Sequence, residues 1–242
     1  MQLLKTCLGL SLLTFSLPSF SSGFSAALYG GYNHMSTNED RLQLPVEKDT
    51  LYSTDGGNGF VGGIGVGYAM DQFSSFIKRI TVGPEVFYFS EQRKGDVWQF
   101  QNSALANYNY SIKIKSARIM LDGWLDLNPL VWEISPLLGA GIGGANIKTS
   151  YADQLSTLGF QSGISGGNIV LGNNTNNNFV YSLSAGLRKP LTPKLLLSAF
   201  YTYTNFGTVE SSTQASQVTL LQPIRFNMHT NSAMLALTYL FG

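Results

Sequence analysis

Side chains alternate in character along the end of the chain, residues 225–241. From Ala233 onward the odd positions are apolar and end on two aromatics, whereas the even positions are smaller or mixed; the odd set is Ala233, Leu235, Leu237, Tyr239 and Phe241. A period of two predicts a β-strand with two unlike faces, because successive side chains point to opposite sides of a sheet. A soluble sheet would cover the apolar face with a second layer, and the sequence supplies none. The pattern is therefore typical of a lipid-facing strand in a transmembrane β-barrel.

Composition supports this interpretation. Charged residues make up 12% of the 242 residues, compared with about 25% in a typical soluble domain. The 26 glycines and the 12% aromatic content suit lipid-facing strands, and suit neither a disordered chain nor a helix bundle. The net charge of +1 predicts no nucleic-acid partner, since phosphate binding requires a clustered basic excess. The longest later apolar and glycine-rich run, 136–145, is too short for a transmembrane helix, so a membrane-spanning chain of this kind requires a closed barrel.

The N-terminal segment has the organisation of a signal peptide, which we place at residues 1–23. Lys5 supplies a positive start, residues 8–17 form an apolar run, and small residues follow Pro18. Cleavage is expected after Ser21 or Gly23. Cys7 is the only cysteine in the sequence and lies in this segment. The mature chain, residues 24–242, would therefore form no disulfide and hold no cysteine-ligated metal.

Alternation predicts eight strands in the mature chain. The connections between them alternate strictly between long and short, and the four long ones are 36–58, 94–107, 149–178 and 210–223. Bacterial barrels show this asymmetry, with short periplasmic turns and longer outer loops. We predict an all-β, eight-stranded antiparallel up-and-down transmembrane barrel with four long outer loops and three short periplasmic turns. The predicted strands are 24–35, 60–70, 77–93, 108–127, 131–148, 179–188, 194–209 and 225–241.

The predicted inward set contains charges of both signs and bulky side chains. A soluble lipocalin-like barrel would instead point its apolar residues inward. An eight-stranded barrel is just wide enough to be filled by side chains, and buried charges are tolerated only when paired and hydrogen-bonded. We therefore predict a filled interior with an ion-pair network and no wide pore, with a proton path or narrow gate as the alternative. Inward glycines on the second and fifth strands would make room for bulk, and Pro84 would cause a local bulge. The predicted network is Glu85, Arg118, Asp122, Glu133 and Arg188.

Several motifs resemble those of ligand-binding or catalytic sites but lack a feature that such a site requires. Residues 139–144 match the sequence of a dinucleotide-binding fingerprint. Nucleotide binding requires a helix after this fingerprint, and the residues that follow have no helical pattern. His34 and His229, the only histidines, fall near the outer rim without a metal-ligand cluster. Ser232 follows His229 at a spacing that places the two on opposite faces, so the geometry of a nucleophile and its base is missing. We predict no catalytic residue, cofactor or metal, and interpret the asparagine-rich stretch 173–178 as a mobile polar tip.

The mature chain resembles the small eight-stranded outer-membrane barrels of the OmpA-barrel, OmpX and opacity-protein kind. The resemblance rests on the signal peptide, the loop alternation and the final strand, where Leu235, Leu237, Tyr239 and Phe241 look like the signal read by the barrel-assembly machinery. It implies a monomeric outer-membrane protein in contact with membrane lipid and lipopolysaccharide. The expected function is that of a non-enzymatic, opacity-like adhesin or surface antigen that contacts a host-surface ligand through its loops. The alternatives are a small-solute channel and an outer-membrane lipid hydrolase.

Overall fold

The computed structural model describes residues 22–37, 40–43, 48–71, 74–163, 168–215 and 220–241. Within these segments the chain forms nine strands, two short 3-10 turns and one short helix. The predicted signal peptide lies outside the described residues except for its last two, Ser22 and Gly23. The strands are β1 Ser22–Thr37, β2 Asp40–Gln43, β3 Lys48–Asp71, β4 Ile77–Trp98, β5 Tyr108–Leu127, β6 Ser135–Leu155, β7 Val170–Pro190, β8 Leu195–Glu210 and β9 Arg225–Phe241, and the helix is α1 Thr157–Gln161.

Eight of these strands close a ring. Along the sheet the order is β1-β9-β8-β7-β6-β5-β4-β3, and β1 also pairs with β3. Ala27 of β1 lies opposite Thr238 of β9 on one side and opposite Gly65 of β3 on the other. The short strand β2 pairs with the beginning of β3, where Leu42 lies opposite Asp49. The predicted all-β, eight-stranded antiparallel barrel is confirmed, with β2 as an addition.

The two ends of the barrel differ in their connections. Short connections join β3 to β4, β5 to β6 and β7 to β8 at the end where β1 begins and β9 finishes, and their described residues are 74–76, 128–134 and 191–194. Short turns are typical of the periplasmic end, so the opposite end is the outer one. No helix among the described residues is long and apolar enough to cross a membrane.

The strands extend further at the outer end than the sequence predicted. β3 begins at Lys48 rather than at 60, β6 continues to Leu155 rather than 148, and β7 begins at Val170 rather than 179. The predicted loops 36–58, 94–107 and 149–178 are correspondingly shorter. A transmembrane strand needs about 9–11 residues, whereas β5 has 20. The barrel wall therefore continues well beyond the membrane.

Strand β5 shows why the wall continues. In its inner part the outward Ile119 is 64% exposed and the neighbouring Arg118 is buried. In its outer part the inward side chain is apolar and the outward one is charged, since Ile114 is fully buried and Lys115 is exposed. The polarity of the inward side chains changes at Ser116, which is also buried. The inner part has the pattern of a lipid-facing strand, and the outer part has the pattern of a soluble barrel that keeps its apolar side chains inside.

The outward apolar side chains of the inner part form one continuous zone, which we call the lipid-facing belt. Each strand of the ring contributes at least one strongly exposed apolar residue to it, and such residues on the outside of a barrel are typical of contact with lipid. Representative members are Leu28, Ile64, Val86, Ile119, Ile142, Leu183, Tyr201 and Leu235.

The turn between β5 and β6 corrects one predicted strand boundary. Trp132 and Glu133, predicted on a strand, lie in this turn, where the Ile134 amide donates to the Val131 carbonyl at 3.0 Å. Both have left-handed backbone conformations, with φ of 51° and 62°. Glycine and asparagine are the residues that usually adopt such conformations. Neither stands at positions 132 and 133, so residue type does not indicate this part of the turn.

Pro84 does not cause the predicted bulge. The residues on either side of it keep the same register with β3, where Glu85 lies opposite Gly65 and Val82 opposite Tyr68. Pro84 itself lies opposite Leu121 of β5 without a shift. The adjacent Gly83 approaches β3 so closely that a Cβ atom there would lie 2.0 Å from the Val66 carbonyl oxygen. A side chain at position 83 would therefore not fit between the two strands.

The wall contains one seam that is not closed by backbone pairing. The β7–β8 ladder reaches outward only to Tyr181 and Asn205. Backbone pairing of β7 on this side resumes only at Leu171 and Gly172, with the segment that follows β8. β8 has a bulge at this point, where Gly207 adopts φ of 70°. Beyond it β7 still pairs with β6, and β8 with β9.

Asparagine side chains bridge this gap. The Asn178 amide nitrogen donates to the carbonyls of Phe206 and Thr208, both at 2.7 Å. Asn176 donates to the Glu210 carbonyl at 2.9 Å and accepts from the Glu210 amide at 3.1 Å, and Asn174 donates to the same carbonyl at 3.0 Å. We call these three residues and segment 206–210 the asparagine seam. The prediction of a mobile polar tip at 173–178 is therefore wrong, because the stretch belongs to β7.

Candidate functional site

Glu85 lies on β4 in the inner half of the lumen and is buried. Its carboxylate accepts hydrogen bonds from the Tyr29 hydroxyl at 2.6 Å and from the Trp124 indole nitrogen at 2.8 Å. The donors come from β1 and β5, so one carboxylate connects three strands. Buried hydrogen-bond networks of this kind hold their members in one arrangement.

Arg118 and Asp122 lie four residues apart on the inward side of β5. The Arg118 guanidinium stacks over the Phe87 ring, 4.5 Å from its centroid, and donates to the Thr204 hydroxyl at 2.7 Å. Asp122 accepts from the Ser182 hydroxyl at 3.3 Å. Arg118 forms no ion pair with any described carboxylate. Neutral hydroxyl groups and an aromatic face thus take the place of the ion-pair partners that the sequence predicted for this arginine.

Arg188 forms the buried ion pair of the inner lumen. Its guanidinium lies 2.8 Å from one Asp126 oxygen and 3.1 Å from the other, and its Nε donates to the Ser198 hydroxyl at 2.8 Å. Asp126 was missing from the predicted set, although the alternation that placed Asp122 inward also places Asp126 inward. Glu133 was included and does not belong, because it is exposed in the periplasmic turn.

Aromatic rings fill the rest of the inner lumen. Phe200 packs edge-on against Trp124, with ring centroids 4.9 Å apart, and against Tyr29 at 6.3 Å. A Cβ atom at Gly139 would lie 2.6 Å from the Trp124 ring, so this inward glycine makes room for the indole as predicted. A cavity of about 20 Å³ remains beside Ser25, Thr81 and Arg188, which is room for about one water molecule.

The outer half of the lumen is filled by apolar side chains, which we call the outer plug. Six of them are fully buried, and the rings of Phe89 and Phe206 meet edge-on at 5.4 Å. Buried apolar surface of this kind stabilises a wall that is surrounded by water. The fully buried members are Leu51, Ile114, Ile147, Phe206, Val209 and Ile224.

A buried carboxyl group lies near the outer end of this plug, beyond the membrane-spanning part of β6. Asp153 accepts from the Ile169 amide at 2.7 Å and from the Tyr151 hydroxyl at 3.0 Å. Burial raises the pKa of the Asp153 carboxyl above its ordinary value, although these two hydrogen bonds oppose the shift. Burial also raises the pKa of the Tyr151 hydroxyl, so it remains a donor to the carboxylate at neutral pH.

Two segments at the outer end are joined to each other, and we call them the outer cap: residues 99–107 after β4 and residues 156–163 after β6. The Ser156 amide donates to the Asn107 carbonyl at 2.7 Å, and the Ser156 hydroxyl donates to the Ala106 carbonyl at 2.9 Å. The same hydroxyl caps helix α1 by accepting from the Gly159 amide at 3.1 Å. One serine therefore fixes both segments.

The outer cap exposes aromatic side chains on a strained backbone. Phe100 and Gln101 have φ of 51° and 60°, and Phe100 is 63% exposed. The left-handed conformation costs roughly 1–2 kcal/mol for each such residue. The buried Asp49 carboxylate holds the turn by accepting from the Phe100 amide at 2.9 Å. Phe160 on α1 is 78% exposed. A strained turn that holds an aromatic in water is a candidate recognition site.

The two histidines lie at the outer rim and do not form a catalytic site with Ser232. The Ser232 hydroxyl is buried and donates to the Asn33 side chain, whereas the His229 ring lies 5.8 Å from the Tyr203 ring. His34 contacts the Asn58 side chain at 2.8 Å. Within the described segments no group of three or more His, Cys, Asp or Glu residues could hold a metal ion.

The predicted assembly signal lies on β9 with its side chains outward. The outward position follows from the register with β1, in which Leu237 lies opposite Leu28 and Phe241 opposite Phe24. The rings of Tyr239 and Phe241 meet edge-on at 4.9 Å. All four signal residues, Leu235, Leu237, Tyr239 and Phe241, are exposed to the lipid side.

The closed ring, the lipid-facing belt and the short turns at one end define a small outer-membrane β-barrel. The chain belongs to the family described as outer membrane protein beta-barrel domain, whose model matches residues 7–239. No curated protein matches the sequence significantly.

Solved structures similar to the chain include three outer-membrane proteins. Neisserial surface protein A is 13% identical, with a TM-score of 0.43, and the match covers 91% of this chain and 99% of that one. OprG of Pseudomonas aeruginosa is 12% identical, with a TM-score of 0.47 and coverages of 90% and 97%. The outer membrane protease OmpT of Escherichia coli is 11% identical, with a TM-score of 0.46 and coverages of 93% and 99%.

Proposed function

We propose that the protein is a non-enzymatic surface protein, an opacity-like adhesin or antigen, that binds its ligand through the outer cap. The observation that carries this proposal is the exposed Phe100 on a left-handed turn fixed by Asp49. Leu158 and Phe160 add exposed apolar surface on the segment that Ser156 joins to it. Exposed aromatics held rigidly contribute much to recognition, because little conformational entropy is lost when they bind.

The filled lumen favours this function over a small-solute channel. The inner half retains a cavity of about 20 Å³, and the outer plug closes the other half with fully buried apolar side chains. A conducting path would require both to rearrange. The alternative of a lipid hydrolase is less well supported, since His229 and Ser232 lie on opposite sides of the wall.

The test is a binding assay with bacteria that display the protein. Cells carrying the wild-type barrel should adhere to immobilised host-matrix glycoproteins, and the variant Phe100→Ser/Phe160→Ser should lose most of that adhesion. The variant Phe76→Ser, which changes an exposed phenylalanine at the periplasmic end, is the matched control and should adhere normally. Heat-shifted gel mobility shows that each variant has folded.

Conductance separates the alternatives. Refolded protein in a planar bilayer should show no steady channels. Reproducible channels from folded protein, together with adhesion that does not depend on Phe100 and Phe160, would replace the proposal with the channel function.

A further inference from the structure

Three lysines lie side by side on the outward surface of the wall, immediately beyond the lipid-facing belt. Lys113 and Lys115 are two residues apart on β5, so they point to the same side, and Lys148 of β6 lies directly opposite Lys115. All three are exposed. Like charges directly opposite one another on neighbouring strands are destabilising, because their Cβ atoms are only about 5 Å apart. The arrangement becomes favourable when an anion lies between them.

No described acidic residue neutralises this lysine triad. In the ladder, Lys113 lies between Gln92 and Ser150, and Lys115 lies between Ser90 and Lys148. These neighbours are uncharged apart from Lys148, whose other neighbour is Thr175. Among the described residues, none of the three lysines takes part in an ion pair. The triad is thus a concentrated positive patch surrounded by hydroxyl and amide groups.

The depth of the triad indicates the source of the anion. Along β5, Lys115 is followed two residues later by Ala117 and then by the strongly exposed Ile119 of the belt. The four residues from Lys115 to Ile119 span about 13 Å along the strand, which is about 9 Å of depth for a strand tilted by about 45°, and the polar headgroup layer adds roughly 5–8 Å on each side of the hydrocarbon core. Because long lysine side chains extend toward the membrane surface, the ammonium groups reach the headgroups of the outer leaflet, where phosphate groups of lipid are close.

A groove continues outward from the triad. It has a volume of about 570 Å³ and is lined by amide, hydroxyl and ammonium groups, together with the buried Asp153 carboxyl. Such groups hydrogen-bond sugar hydroxyls, so the surface matches a phosphorylated sugar better than a simple phospholipid headgroup. Its outward polar lining includes Gln92, Lys94, Asn109, Ser111 and Lys113.

We propose that Lys113, Lys115 and Lys148 bind the phosphate groups of lipid A, the phosphorylated glycolipid anchor of lipopolysaccharide, in the outer leaflet. Ammonium groups bind phosphate as point charges through charge-assisted hydrogen bonds. Bound lipid A removes the repulsion between Lys115 and Lys148, and it fixes the depth of the barrel on the side of β5 and β6. This inference concerns the wall and does not depend on the function of the outer cap.

The experiment titrates refolded protein in mixed detergent micelles with diphosphoryl lipid A and counts bound lipid by native mass spectrometry. The variant Lys113→Gln/Lys115→Gln/Lys148→Gln should bind roughly tenfold more weakly or worse, the change expected when charge-assisted contacts to phosphate are lost. The matched control, Lys78→Gln/Lys189→Gln/Lys194→Gln, removes the same charge at the periplasmic end and should bind like the wild type.

Two further titrations identify the source of the phosphate. Dephosphorylated lipid A should bind the wild type as weakly as diphosphoryl lipid A binds the triad variant, and millimolar inorganic phosphate should not displace the bound glycolipid. Equal binding of diphosphoryl lipid A by the triad variant and the wild type would overturn the proposal. Complete displacement by inorganic phosphate would also overturn it, because the site would then be a general anion site.

Discussion

The inner and outer halves of the barrel are built from the same strands but follow opposite rules. On β5 the inner half turns Ile119 toward lipid and Arg118 toward the lumen, and the outer half turns Lys115 toward water and Ile114 toward the lumen. The backbone continues without a break, so only the medium outside the wall has changed. The direction of a strand's apolar side therefore depends on the medium around it, and one strand can pass from one medium to the other.

The two halves should also be stabilised by different forces. In lipid there is little hydrophobic gain from turning apolar side chains inward, so packing and hydrogen bonds hold the inner lumen together. Arg188, Asp126 and Glu85 provide such bonds. In water the hydrophobic effect returns, and the outer plug stabilises the wall as the core of a soluble protein does.

The largest effect is expected from breaking the ion pair of the inner half. The change Arg188→Met leaves the Asp126 carboxylate buried without its partner, a situation that costs about 3–5 kcal/mol. Urea-induced unfolding in detergent micelles measures the loss. Protease protection of the outer segments should be unchanged, because the outer plug does not depend on this pair.

The double variant Arg188→Met/Asp126→Asn is the control for this prediction. It removes the unpaired charge as well and should recover a large part of the lost stability. A single variant as stable as the wild type would show that the inner half does not depend on its polar pairing, and the contrast between the halves would then be wrong.

The next largest loss of stability is expected at Ile114 of β5, and Ile119, five residues further along the same strand, provides the comparison. The change Ile114→Ala removes a fully buried side chain from the outer plug and should cost about 2–5 kcal/mol, as large-to-small changes in a core do. The loss should be local, and it should appear as faster cleavage of the outer segments by an added protease.

Ile119→Ala is the matched control, because Ile119 faces lipid whether the outer half is open or closed. Protease cleavage of the outer segments should therefore match the wild type in this variant. Equal acceleration by both substitutions would mean that the two halves open as one unit.

The lipid-facing half could be predicted from the sequence because its signal is simple. Strands β5 and β9 were placed within a few residues by the alternation of apolar and polar side chains, and the final aromatics marked the outer surface. The inward side of Glu85, Arg118, Asp122 and Arg188 follows from the same alternation, and all four are buried.

Part of the outer half of the wall was not predicted as strand, because there the apolar side chains point inward and the polar side chains point outward. Leu51, Val97 and Tyr151 are buried side chains on β3, β4 and β6, and they fall inside the predicted loops 36–58, 94–107 and 149–178. Because the polar residues around them were interpreted as loop, these inward apolar side chains were not assigned to a strand. The pairing of Arg188 with Asp126 and the turn at Trp132 could not be predicted either, since both depend on register and backbone conformation rather than on residue type.

The smallest effect is expected at the asparagine seam, which lies in the outer half and uses hydrogen bonds instead of apolar packing. The change Asn178→Ala removes two hydrogen bonds to β8 carbonyls. Carbonyls left without a donor near an apolar plug should lower local stability by about 1–3 kcal/mol. Hydrogen exchange at the amides of 206–210 measures the change, and it should be faster while exchange on β5 stays as in the wild type.

Asn173→Ala is the control, because Asn173 is on the same strand and exposed but is not among the asparagines that bond to 206–210. Exchange at 206–210 should be unaffected by it. If Asn178→Ala also left the exchange unchanged, the seam would be held by the plug behind it, where Phe206 and Val209 are fully buried. The outer half would then depend on the hydrophobic effect alone, and its contrast with the polar inner half would be complete.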